Sequence, residues 1–517
     1  MERVSEREVT MNRPRLGVCA TLIGMLLVAC ASPASTDSVA QPPAPRNDPA
    51  AQQPLVPPNG EPYVDNFFEN PGVNPRIDTR DDRLSTFALD VDTASYTVAR
   101  AHLADGNLPD RDSVRVEEFV NAFPTGRSGP ETDAFSVAVD GGPTPYVENE
   151  RYQVARVTIA SRAMAVEARP DTALTFVIDV SGSMAMESRL ELVKRSLEML
   201  VDELRPSDTI AIVVYGSTAR IVLPPTPVIE GQTVRAAIGQ LQPEGSTNAE
   251  AGLVLGYEVA RAGFRPGGVN RVILASDGVA NVGNTGADAI LAQVRTEATA
   301  GITMLALGVG MGNFNDVLLE RLANDGDGFY VYIDTLAEAE RLFRDELTST
   351  LVTVALDAKV QIDFDPATVE SYRLIGFENR DVADDRFRDD SVDAGAIGAG
   401  HHVTALYELR MLEGAAGTLG TVHLRWTDPL SGLAQELKQP FGTDALASGS
   451  GDTAAHFRLA TTVAAFGEVL RDSVWADGVT LEQVAVEAAA LSIELGSDPR
   501  VPELAELIRR AASLAGD

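Results

Sequence analysis

Asp179, Ser181 and Ser183 stand at alternate positions in DVSGSM, directly after the apolar run ALTFVI. An acid and two hydroxyls where a buried strand stops admit three kinds of chemistry: a nucleophile, a metal-ion site or a polar turn. A serine nucleophile needs a base and an oxyanion hole. The five histidines are His102, His401, His402, His423 and His456, so none falls between residues 171 and 348. The flanking sequence is not a G-x-S-x-G elbow. The two cysteines, Cys19 and Cys30, both lie far upstream.

A cation suits these residue types better. Carboxylate and hydroxyl oxygens are hard ligands for Mg²⁺, Mn²⁺ or Ca²⁺ and poor ones for copper or structural zinc. Side chains at i, i+2 and i+4 of a turning loop can converge on one ion. Further oxygens must come from other strand ends. Thr247 in GSTNAEAGL stands where a helix begins, and Asp277 in ILASDG ends another apolar strand. Alone, Thr247 reads as a helix N-cap and Asp277 as a turn residue. Together and in this order they read as three ligand loops.

Such loops need a frame that brings distant strand ends to one rim. Residues 171–348 supply it. Strands ALTFVID, TIAIVVYG, RVILASDG and ITMLALGVG alternate with helices such as SRLELVKRSLEMLVDEL and NAEAGLVLGYEVAR. Leu190, Val193, Leu197, Leu200 and Leu204 form one apolar stripe at helical spacing. Repeated β-α units predict an α/β fold, a central doubly wound, mostly parallel sheet covered by helices on both faces. Ligands of such sheets bind at the carboxyl ends of the strands. Residues 61–170 and 349–517 mix strands and helices, and each reads as a flanking α+β domain.

The net charge of −33 argues against nucleic acid, whose phosphates call for Lys and Arg. Hydrophobic residues at 44% rule out a disordered acidic chain. Residues 1–30 contain LGVCATLIGMLLVAC after MNRPR, a signal-peptide pattern too short and one-sided for a membrane span. The closing LVAC resembles the bacterial lipobox. That implies lipidation of Cys30, a cell-envelope location and attachment to the membrane through a lipid anchor. Ala31 after the cysteine implies the periplasmic side of the outer membrane in a Gram-negative cell. Glu2, Glu6 and Glu8 are unlike a signal start, which makes Met11 an alternative first residue to Met1. Residues 31–60 are a Pro/Ala-rich linker without apolar periodicity. Extended at ~3.1 Å per residue, it would span roughly 90 Å.

Residues 171–348 resemble a von Willebrand factor type A (VWA) domain. Its metal-ion-dependent adhesion site is Asp-x-Ser-x-Ser, then a Thr, then an Asp, matched here by Asp179, Ser181, Ser183, Thr247 and Asp277. The resemblance implies that the hydroxyls ligate directly and the acids directly or through water. It also implies one position left for a carboxylate of a protein partner. STFALDVDTASYTVAR, VRVEEFVNAF, VESYRLIGFENR and FGEVLRDS extend the resemblance to the YfbK-type family of bacterial VWA lipoproteins, over about residues 62 to 512. The expected function is non-enzymatic: an envelope lipoprotein that binds a protein ligand's acidic residue through Mg²⁺, or through Mn²⁺ or Ca²⁺.

Two other functions stay open. One is a metal-dependent phosphatase using Asp179, or Asp90 with Asp92 in LDVDTASY; the plainer reading of that pair is a strand-end turn capping a helix. The other is a structural protein whose ion is capped by an acid of its own chain. His401 and His402, adjacent on a strand, would face opposite ways and not share a metal. The acidic run 378–393 lacks EF-hand spacing and reads as a solvated loop. Trp426 and Trp475 are expected to pack in cores.

Overall fold

The computed structural model describes residues 66–89, 91–143, 151–278, 287–312, 314–446 and 452–516. The signal peptide, Cys19, Cys30, the linker 31–60 and Asp90 lie outside the described residues. The first segment runs β1 (Ile77–Asp78), β2 (Leu84–Ala88), α1 (Ala94–Ala104), α2 (Val116–Asn121), β3 (Phe135–Pro143) and β4 (Tyr152–Ser161). The central segment begins β5 (Thr172–Asp179), α3 (Arg189–Glu203), β6 (Thr209–Tyr215), β7 (Ala219–Pro227) and α4 (Gly231–Gly239). It continues α5 (Ala249–Ala262), β8 (Val269–Ser276), α6 (Ala287–Thr299), β9 (Thr303–Val309), α7 (Asp316–Asn324) and β10 (Phe329–Ile333). Two short helices close it, α8 (Leu336–Glu340) and α9 (Leu347–Leu351). The last segment holds β11 (Thr353–Phe364), β12 (Val369–Ile375), β13 (Gly395–Gly398), β14 (His402–Met411), β15 (Thr418–Thr427) and β16 (Ala434–Gly442). It ends with α10 (Asp452–Leu470), α11 (Leu481–Glu494) and α12 (Arg500–Ala515).

The central sheet has the order β10-β9-β8-β5-β6-β7. All its neighbours are parallel except the β6–β7 pair. Alternation along the strands explains why both faces are covered. Leu174, Phe176 and Ile178 point into one core with the stripe of α3. Val177 and the outward set of β6, Ala211, Val213 and Tyr215, point into the other with α5. This is the expected doubly wound arrangement. Strand order changes direction at β5, which lies between β8 and β6. The end of β5 is therefore the crevice where such sheets take ligands.

The flanking segments, read from sequence as two separate domains, build their sheets together. One sheet has the order β1-β12-β14-β4-β3 and the other β13-β11-β15-β16, with β2 paired to β11. Their facing sides share a core that includes Phe87, Phe135, Tyr372, Tyr407 and Trp426. The helices α1, α2 and α10–α12 form a further core. All three segments belong to one compact unit. Buried ion pairs tie the flanks to the centre: Arg115 Nη1 donates to Asp316 Oδ2 at 2.6 Å, and Arg100 Nε to Asp334 Oδ2 at 2.8 Å.

Several residues differ from expectation. Trp426 is core, but Trp475 is 38% exposed, with the guanidinium carbons of Arg373 and Arg76 lying 4.9 and 5.5 Å from its ring centroid. Asp92 precedes the N-cap of α1 and is engaged elsewhere. The residue at the N-terminus of α1 is Thr93, and Asp92 Oδ1 accepts from Tyr330 N at 2.9 Å. The acidic run is not simply solvated: Phe387 is buried, and Arg380 donates to Glu320 Oε1 at 2.9 Å. Among the described residues no helix is long and apolar enough to cross a membrane.

Candidate metal centre

Asp179 is the last residue of β5 and is fully buried. Its Oδ1 accepts from Ser181 N at 2.7 Å, which turns the chain sharply out of the sheet. Its Oδ2 accepts from the hydroxyl of Ser276, at the end of β8, at 3.1 Å. Ser181 Oγ and Ser183 Oγ are 2.9 Å apart. Ser183 Oγ donates to Asp277 Oδ1 at 3.1 Å. Four of the five expected residues thus form one hydrogen-bonded set across the ends of β5 and β8.

Thr247 reaches the same rim through its backbone. Its loop is pinned to the first one by Gly182 N donating to Gly245 O at 3.2 Å and by Glu244 N donating to Val180 O. Among the described residues no side-chain hydrogen bond joins Thr247 to the other four. The N-cap of α5 is not Thr247 but Asn248, whose side chain accepts from Ala251 N at 3.1 Å. The loop can sit this low because α5 approaches the sheet closely. A Cβ on Gly252 would lie 2.5 Å from the Tyr215 ring, and one on Gly256 would lie 2.3 Å from Val177 Cγ2.

One residue at this rim escaped the sequence reading. Arg189, the first residue of α3, is 2% exposed and donates from Nη1 to Asp277 Oδ2 at 2.9 Å. Its Nη2 donates to Met311 O and, at 3.2 Å, to Glu187 Oε2. Gly310 makes room for it, since a Cβ there would fall 2.1 Å from Arg189 Nε. The same loop is held by Asn66, whose Oδ1 accepts from Gly312 N at 2.9 Å. Before α3 the backbone is strained: Glu187 and Ser188 take left-handed φ of 49° and 59°.

Electrostatics follow from this crowding. Burial, then the like charge of Asp277, push the Asp179 carboxyl up to about 6, against hydrogen bonds from Ser181 and Ser276. Burial, then the charge of Asp179, raise the Tyr215 phenol well above its usual range.

The von Willebrand factor type A domain family matches residues 173–345. A family described as von Willebrand factor matches residues 63–154, and one described as uncharacterized protein YfbK, C-terminal, matches residues 349–514. Uncharacterized protein YfbK of Escherichia coli (strain K12) is 38% identical over 438 residues, 80% of this chain and 75% of that protein. The chain belongs to the YfbK family.

A second relative, uncharacterized protein sll0103 of Synechocystis, is 28% identical over 55% of this chain and 68% of its own length. Among solved structures, a von Willebrand factor type A protein from Catenulispora acidiphila is similar at 19% identity and a TM-score of 0.43. That likeness covers 74% of this chain and 90% of that one. The VWA domain matched over residues 173–345 suggests a protein-interaction role for this YfbK-family chain. The Asp-x-Ser-x-Ser loop was legible because its polar residues are neighbours in sequence. Arg189 carried no such signal, since a lone arginine opening a helix looks like any surface charge.

Proposed function

We propose that this chain is a non-enzymatic cell-envelope lipoprotein, anchored through Cys30, that binds an acidic side chain of a protein partner at a divalent cation. Asp179, Ser181, Ser183, Thr247 and Asp277 would hold Mg²⁺, or Mn²⁺ or Ca²⁺ in its place. The donors are all carboxylate or hydroxyl oxygens, which suits a hard ion. The pressure on the buried Asp179 carboxyl to protonate supports the same reading, because a cation would relieve it.

The observation that carries the proposal is the charge balance of the rim. Two buried carboxylates, Asp179 and Asp277, face one buried guanidinium, Arg189. The net charge of these three buried groups is negative by one, with the exposed Glu187 standing outside the count 3.2 Å from Arg189. A divalent ion would turn this charge positive by one, and an outside carboxylate would cancel that. Ser276 and the Ser181 amide orient Asp179, and Arg189 orients Asp277; an ion held by them would supply an electrophilic position.

The test is capture from a membrane extract on the purified chain, with Mg²⁺ or with EDTA, comparing wild type and Asp179→Ala. The expected result is a partner lost under both EDTA and the substitution while the fold is retained. Capture indifferent to both refutes the proposal. The cis-capped reading has one observation in its favour, Glu187 standing beside Arg189. In that case Mg²⁺ would raise the melting temperature while creating no capture, and Glu187→Gln would expose partner binding. Phosphatase activity lost in Asp179→Ala would instead establish the hydrolase; Asp92 is already engaged by Tyr330.

A further inference from the structure

A cavity of ≈ 410 Å³ lies away from the metal rim, where the start of β10, the turn after α2 and the start of β14 meet. Its volume falls among those of small-molecule sites, ~300–1,000 Å³. We propose that it binds a small organic anion bearing a carboxylate or phosphate group.

The walls carry three arginines in a chain that is strongly acidic overall. Arg127, Arg341 and Arg500 line the cavity. Arg500 is already paired with Asp498 at 2.6 Å and Arg341 with Glu338, and the lining acids are matched as well. Asp92 Oδ2 is 3.5 Å from Arg380, and Glu346 Oε2 accepts from Arg341 at 2.6 Å. Arg127, by contrast, shares its carboxylate. Asp140 Oδ2 accepts from Arg127 at 2.5 Å, while both oxygens of Asp140 accept from Arg156 at 2.7 Å. Two guanidiniums on one carboxylate leave one positive charge over. The Nε of Arg127 has no hydrogen-bond partner among the described residues.

Behind the opposite wall lies a second surplus charge. Arg271 is 1% exposed, and its guanidinium sits 5.2 Å from the centroid of Phe329, a lining residue. It donates to Thr303 Oγ1 at 2.9 Å and to the carbonyl of Thr350, but pairs with no carboxylate among the described residues. Burial without a counter-charge pulls it down to about 10. An isolated buried charge is costly unless something compensates it. An anion in the cavity would do so.

The two adjacent histidines fit the same reading. His402 begins β14 and His401 precedes it in a turn, so both line the cavity, unlike the opposed pair expected on a strand. Burial, then His402, Arg341 and Arg271, pull His401 down to about 3, so it is neutral. Its Nδ1 accepts from Gly398 N at 3.2 Å, leaving Nε2–H as a donor.

Isothermal titration of the purified full-length chain with inorganic phosphate, glycerol 3-phosphate and succinate at low salt tests this. Saturable binding of at least one probe is expected at about millimolar or tighter. Phosphate probes alone would assign a phosphate group, succinate alone a carboxylate. Arg127→Gln should weaken binding roughly tenfold, the loss of one charge-assisted hydrogen bond, with the melting temperature kept. Asp179→Ala should leave it unchanged, which separates this site from the metal rim. If Arg127→Gln fails to fold, Arg500→Gln decides. No saturable binding with any probe, or binding unaffected by substitution of the lining arginines, overturns the proposal.

Discussion

Arg189→Met is the sharpest perturbation of the metal rim. It keeps the bulk of the side chain but removes the guanidinium 2.9 Å from Asp277 Oδ2. Both partners are buried, at 2% and 1% side-chain exposure. Breaking such a pair by deleting one member costs about 3–5 kcal/mol, because the other charge stays buried and uncompensated. The lower end applies here, since Asp277 keeps the hydrogen bond from Ser183. In EDTA the variant should lose about 3 kcal/mol, on the order of 100-fold in the unfolding equilibrium. A divalent ion at about 100 times its Kd returns about 2.7 kcal/mol to a protein that binds it only when folded. The variant rim carries two net negative charges against one in the wild type. Mg²⁺ should therefore stabilise the variant more than the wild type. Partner capture should weaken, because two carboxylates now cancel the ion unaided. Urea unfolding followed by circular dichroism, with EDTA and with Mg²⁺, measures both effects. A loss below about 1 kcal/mol in EDTA, or an equal Mg²⁺ increment in both proteins, would refute the charge argument.

Two further outcomes are expected. Gly252→Val should cost about 1–3 kcal/mol and shrink the Mg²⁺-dependent rise in melting temperature, because its Cβ would meet the Tyr215 ring and lift the helix that follows Thr247. Gly239→Ala, with open space around its Cβ, is the control and should leave both unchanged. The buried Asp208 governs part of the acid response. Burial alone would raise its carboxyl, but hydrogen bonds from Arg169 and the amides of Thr172 and Arg205 hold it below its ordinary 3.8. A depressed carboxylate stabilises the fold above its unfolded value and loses that contribution as pH falls below it. Melting temperatures from about pH 6 to about pH 3 should fall more steeply in the wild type than in Asp208→Asn, which starts lower. Parallel curves would contradict this.

The central fold could be read directly because its signals are local. Strand and helix periods alternate along residues 171–348, and the stripe from Leu190 to Leu204 packs as its spacing predicts. The flanks were harder. That Phe87 and Trp426 share one core depends on β2 and β15 both pairing with β11, and strand pairing over such distances leaves no mark on periodicity. Trp475 failed for a related reason. A tryptophan reads as core, and only the fold brings Arg76 and Arg373 to its ring.

By itself, the sequence determined which residue types gather at the rim. Asp179, Ser181 and Ser183 are two residues apart, so one turn suffices to gather their oxygens, and the absence of histidine from residues 171–348 removes the usual base. Tertiary structure alone decided the charge around them. Arg189 meets Asp277 across 88 residues and Met311 across 122. Among the described residues, Arg271 lies buried without a carboxylate partner beside a cavity built by all three segments. Coulomb energy depends on distance in space and on burial, and neither is written in the spacing of residues along the chain.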